Sequence, residues 1–147
     1  MSALTSEQQA LVAAARAVRE RAYAPYSKFK VGAALRTSSG QVFAGCNVEN
    51  ASYGGTICAE RSALLSMVSS TPRPDSASVK WRPSVSEIAV FTDAAELAMP
   101  CGLCRQVLAE FVREAWVIVA NPRAERVMRF SELFPEPFRL DDESGDP

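Results

Sequence analysis

The spacing of apolar positions changes several times along the chain, and each change predicts an element. Leu11, Ala14, Ala15, Val18 and Ala22 recur at helical spacing, so residues 5–22 read as a helix. Thr5 with Gln8, and Ser6 with Gln9, each have the spacing of a capping box at its start. Pro25 stops it. Lys30–Arg36 and Val42–Val48 read as two strands, with Gly40 in the turn between them, and predict a hairpin. A second helix opens near Ile57 and runs to about Ser69. Ser70–Ser86 contains Pro72, Pro74 and Pro83, has no clear period, and reads as an exposed loop. Glu87–Asp93 and Trp116–Asn121 are apolar runs typical of buried strands, with a third helix, Pro100–Glu114, between them. Glu125–Phe130 reads as a short fifth strand and "SELFP" as a helical turn. The acidic tail 141–147 is expected to be disordered.

The predicted order is α-β-β-α-β-α-β-β. The first two strands favour an antiparallel hairpin, and the strand–helix–strand alternation of the second half favours parallel pairing. A mixed five-stranded sheet in a three-layer α/β/α arrangement satisfies both. The 147 residues suit one domain, taken as 1–140.

Composition narrows the function classes. With 48% hydrophobic residues there is enough apolar material for a core. The formal net charge of −1 argues against a broad nucleic-acid or membrane-surface patch, which needs clustered Lys and Arg. No apolar run approaches the roughly 20 residues that span a bilayer, and no secretory leader is visible. The expected location is the cytoplasm, where thiols at motif spacing are more often ligands or catalytic groups than disulfides.

Four cysteines are present, Cys46, Cys58, Cys101 and Cys104, and no histidine. Any metal site must therefore use thiolates and carboxylates. The C-x-x-C of Cys101 and Cys104 alone could be a redox pair, half of a structural zinc site, or a buried pair without a role. Cys58 changes the balance, because it too opens a helix. Two helices on one sheet face can bring their N-termini together, where positive dipole ends favour thiolate. Three thiolates there suit Zn²⁺ and leave one position for water, the pattern of a catalytic site. Cys46, on a predicted strand, reads as a buried structural thiol. Glu60, in the first turn beside Cys58, is either a dipole-stabilised glutamate or the carboxylate that moves protons at that position. Zn²⁺ with three thiolates carries a formal −1, so Arg61 is expected to hydrogen-bond the thiolates and withdraw charge. Arg105 is divided evenly between such a role and an ordinary structural one.

At these residues the chain resembles the small homotetrameric cytidine deaminases of pyrimidine salvage. The matching pieces are "YAPYSKFKVGAAL", "GCNVENASYGGTICAERSAL" and "PCGLCRQVLAEF". C-A-E followed by P-C-x-x-C is the zinc-deaminase signature in its three-cysteine form, and "NVENASYG" points to free-nucleoside enzymes. The resemblance implies one Zn²⁺ per subunit on Cys58, Cys101 and Cys104, with Glu60 as proton shuttle. It implies Asn47 and Glu49 on the ribose hydroxyls, Phe29 beside the base, and backbone groups of Ala59 at the base amide edge. It also implies a homotetramer in which Tyr53 and Phe138 complete a neighbouring site. The implied reaction is hydrolytic deamination of cytidine and 2′-deoxycytidine, with neither nucleic acid nor membrane as partner. Competing readings are a deaminase of another small aminopyrimidine such as blasticidin S, polynucleotide editing, and a non-catalytic zinc-stabilised protein. Gly55, Met99, Leu103 and the long Ser70–Ser86 loop depart from the family pattern without touching a proposed ligand.

Overall fold

A computed structural model describes residues 4–76 and 81–140. Residues 1–3, the middle of the proline-rich loop (77–80) and the tail 141–147, expected above to be disordered, lie outside the described residues. The elements follow in the order α1 (Ser6–Arg19), β1 (Val31–Thr37), β2 (Val42–Cys46), a 3₁₀ turn (Tyr53–Gly55), α2 (Ala59–Ser70), β3 (Val85–Thr92), α3 (Gly102–Ala109), β4 (Val112–Ala120), β5 (Glu125–Arg129) and α4 (Phe130–Leu133). Thr5 and Gln8 form the capping box of α1, each side chain bonding the other's backbone N–H.

The five strands make one mixed sheet in the order β2-β1-β3-β4-β5. β1 pairs antiparallel with both β2 and β3, β3 and β4 pair in parallel around α3, and β5 returns antiparallel beside β4. Alternate residues feed two cores. Ala34, Ala89, Phe91, Ile118 and Ala120 pack with Leu11 and Ala15 of α1 on one face. Ala33, Leu35, Ile88, Val90, Val117 and Val119 pack with Ala63, Leu64 and Met67 of α2 and Leu108 of α3 on the other. The period of two, with both faces covered, produces the three layers expected.

One element departs from expectation. α3 ends at Ala109, and residues 112–114, expected to close that helix, belong instead to β4. Phe111 turns the chain by donating its N–H to Leu108 O and accepting one from Val85 N. Val112 then pairs with Val85 at the start of β3, ahead of a register irregularity. A buried β-branched residue with a strand partner outweighs helical spacing there. Cys46 is half-buried at the end of β2 rather than fully buried.

Two glycines let helices approach the sheet. A Cβ at Gly45 would lie 2.3 Å from Ala63 N of α2, and one at Gly32 would lie 1.9 Å from Ala15 O of α1. The first contact matters for function, because α2 begins at the cysteine–glutamate pair. Gly45→Ala should therefore lower unfolding free energy by about 1–3 kcal/mol through overpacking and weaken metal retention. Urea denaturation with metal analysis checks this, and an unchanged midpoint would contradict close α2–β2 contact.

Candidate active site

α2 and α3 lie on the same face of the sheet, and their N-caps are Cys58 and Cys101. Both cap residues have extended backbone, and neither side chain caps the first-turn backbone N–H groups of its own helix. A Ser or Asp cap would engage the first-turn N–H groups; these thiols are left available. Cys104 follows Cys101 by three residues, close to one helical turn. The three sulfur atoms all lie within 4.8 Å of one another, and Cys58 Sγ is 3.8 Å from Cys101 Sγ.

That spacing tests the donor set. Tetrahedral Zn²⁺ with Zn–S bonds of about 2.3 Å places sulfurs about 3.8 Å apart. A disulfide would need about 2 Å. The cysteines are free, and their arrangement fits one Zn²⁺ bound by three thiolates.

The surroundings favour charge on Cys58. Arg61 donates from Nη2 to Cys58 Sγ at 3.6 Å and to Thr56 O at 2.9 Å. Its Nε is buried without a hydrogen-bond partner, so the guanidinium is not saturated. A hydrogen bond with Cys104, followed by one from Arg61, holds the Cys58 thiol down to about 5. The pairing with Cys58 and burial push the Cys104 thiol up. Glu60 is only 4% exposed. Burial pushes its carboxyl above the usual carboxylate range, and the Cys58 charge adds to the effect. Arg105 is placed differently, donating to Pro100 O at 2.8 Å and Leu133 O at 3.0 Å. It braces the turn before Cys101.

A second group of residues stands beside the cluster through backbone pairing. Val48 and Ile57 form an antiparallel bridge, with N–H···O distances of 2.9 and 3.0 Å. This sets Asn47 and Glu49 next to the segment leading into Cys58. Tyr23 pairs with Val48 from the other side, donating to Asn47 O and accepting from Glu49 N. Asn47 donates from Nδ2 to Phe29 O and accepts at Oδ1 from Val31 N, both at 2.8 Å. Glu49 accepts from Tyr26 N at 3.0 Å, from Ser27 N at 3.2 Å, and from the Ser27 hydroxyl. The Ser27 hydroxyl, with those backbone N–H groups, holds the Glu49 carboxyl below its ordinary range. Glu49 lines a pocket of about 180 Å³ with Tyr26, Ser27, Tyr53 and Thr56.

The remaining predicted residues fall into two groups. Ala59 is buried at the first position of α2. Phe29, Tyr53 and Phe138 are 44%, 71% and 68% exposed. Tyr53 meets Tyr26 edge-on at 5.5 Å. Phe138 is held through its backbone, donating to Gln106 Oε1 and accepting from Gln106 Nε2. Sequence reasoning missed Ser27 and Gln106. Ser27 carried a local signal, a hydroxyl two residues before an aromatic in a proline-bearing turn. Gln106 carried none, because its partner lies 32 residues away.

A sequence model of the cytidine and deoxycytidylate deaminase zinc-binding region matches residues 5–120. The chain belongs to this family. Within it, the cytidine deaminase of Halalkalibacterium halodurans is 41% identical over 138 residues, 92% of this chain and 97% of that protein. The cytidine deaminase of Sporosarcina psychrophila is 46% identical over 101 residues, 69% of this chain and 67% of that protein. The crystal structure of cytidine deaminase from Burkholderia pseudomallei superposes with a TM-score of 0.77 at 45% identity, covering 92% of this chain and all of that one. The family fold and the three-cysteine cluster agree with what the residues indicate separately.

The lowered Cys58 thiol gives a direct check. At about pH 6 an unperturbed thiol is almost wholly protonated. In metal-stripped protein Cys58 should nonetheless be alkylated by iodoacetamide at that pH, and added zinc should protect it. Peptide mass spectrometry reads the result. Equal labelling with and without zinc would remove Cys58 from the ligand set.

Proposed function

We propose that this deaminase-family chain hydrolyses cytidine and 2′-deoxycytidine to uridine and 2′-deoxyuridine with release of ammonia, as a cytoplasmic enzyme of pyrimidine salvage. Residues 1–140 would form its one catalytic domain. The observation that carries the reading is the meeting of three cysteine sulfurs at two helix N-termini, with a buried carboxylate in the first turn of α2.

Cys58, Cys101 and Cys104 would hold zinc, which supplies a Lewis acid that lowers the pKa of water at its remaining position. Arg61 offsets the negative charge of the thiolates through its bond to Cys58. Glu60 takes a proton from the attacking water and gives it to N3 of the ring, making C4 more electrophilic. The water oxygen bonds to C4, which becomes tetrahedral. Glu60 then delivers the second proton to the exocyclic amine, the C4–N bond breaks, and ammonia leaves. Burial suits Glu60 to this work, because a carboxyl raised above its ordinary range holds a proton more readily than an exposed one.

Asn47 and Glu49 would receive the ribose hydroxyls, Phe29 would lie along the base, and the backbone of Ala59 would meet its amide edge. Tyr53 and Phe138, both largely exposed, would complete the site of a neighbouring chain in a homotetramer. Glu49 at a pocket wall favours a ribose-bearing nucleoside over an aminopyrimidine compound that lacks the ribose hydroxyls, such as blasticidin S. A zinc site serving stability alone would give a buried Glu60 no purpose.

Turnover of cytidine, followed by ultraviolet absorbance, should fall roughly a hundred- to ten-thousand-fold in Glu60→Gln, while zinc content stays at one per chain. Near-normal turnover would remove Glu60 from proton transfer. Light scattering should show a tetramer; a monomer with full activity would overturn the roles of Tyr53 and Phe138.

A further inference from the structure

The connection from α1 to β1 carries Phe29, and its hydrogen bonds converge on one hydroxyl. Ser27 Oγ donates to Glu49 Oε1 and accepts from Phe29 N at 3.0 Å. The Phe29 carbonyl is held by Asn47 Nδ2 at 2.8 Å. Phe29 is therefore fixed at both its N–H and its C=O, directly by Asn47 and through Ser27 by Glu49. The intervening Lys28 has φ of 59°, a left-handed turn, and its N–H returns to Ala24 O at 3.1 Å. That tight turn brings Phe29 N back toward the Ser27 hydroxyl. Only a group that donates and accepts at once can serve both neighbours.

Glu49 is correspondingly committed. A carboxylate offers about four lone-pair sites. Two N–H groups, of Tyr26 and Ser27, occupy Oε2, and the Ser27 hydroxyl occupies one site on Oε1. One acceptor site remains, on a residue that lines the pocket.

We propose that Ser27 is a positioning residue for substrate: its hydroxyl locks the Glu49 carboxylate and the Phe29 backbone into one unit, so that the sugar and base contacts are set together. This rests on the reading of Asn47 and Glu49 as ribose-facing residues. Ser27 itself is exposed, so its replacement leaves the core intact and a threonine methyl has room.

The test is steady-state kinetics on cytidine with Ser27→Ala, Ser27→Thr, Glu49→Gln and the Ser27→Ala/Glu49→Gln double variant. Loss of a hydrogen bond to a charged group predicts a KM about tenfold higher in Ser27→Ala, with kcat within about twofold. Ser27→Thr should restore KM. Because the Ser27 hydroxyl is anchored on the Glu49 carboxylate, its hold weakens in Glu49→Gln, so Ser27→Ala should cost less in that background than alone. A Ser27→Ala enzyme with normal KM, beside a Glu49→Gln enzyme with raised KM, would overturn the positioning role alone. So would a loss confined to kcat, or fully additive effects in the double variant. A Glu49→Gln enzyme with normal KM would overturn the ribose-facing reading and the proposal with it.

Discussion

The structure depends on one constraint: α2 and α3 must lie on the same sheet face with their N-termini together. Parallel pairing of β3 and β4 around α3 meets half of it, and contact of α2 with Gly45 of β2 meets the other. Cys58 and Cys101 are N-caps whose side chains leave the first-turn backbone N–H groups uncapped, so each helix contributes both a thiol and a positive dipole end. Helix ends that suit anions thus offset the repulsion of three clustered thiolates, and Arg61 adds a full charge. Glu60 is buried by the same packing that brings the sulfurs together.

The Asn47–Glu49 side, to which the proposed function assigns the substrate, is built differently. It has little regular structure, with single backbone bridges at Val48 and a turn held by side chains. Asn47 and Glu49 use most of their hydrogen-bonding capacity on protein. Ordering before ligand arrives lowers the cost of ordering it on binding. The exposed aromatics Phe29 and Tyr53 belong to this less regular part, whereas Phe138 is held on Gln106 of α3.

Much of this was legible in the sequence because it is local. Apolar runs in β3 and β4, and the strand–turn–strand pattern of β1 and β2, predicted the sheet, and the Thr5–Gln8 pair marked the start of α1. Cys58 and Glu60 lie together at the start of one helix, and Cys101 and Cys104 at the start of the other, so each half of the site could be read alone. Their convergence needed only the inference that both helices cover one face. The end of α3 was not legible, because Val112 is decided by its distant partner Val85 and not by its neighbours. The Arg105 clamp, the Gln106–Phe138 clasp and the Ser27–Glu49 bond are likewise pairings between distant segments. No periodicity announces such contacts.

X-ray absorption at the zinc edge of purified protein that is active on cytidine tests the central claim most directly. The expected result is one zinc with three sulfur neighbours at about 2.3 Å and one lighter donor. Four sulfurs would bring Cys46 into the site and close the position where water must react. Fewer than three would contradict the cluster on which the proposed chemistry stands.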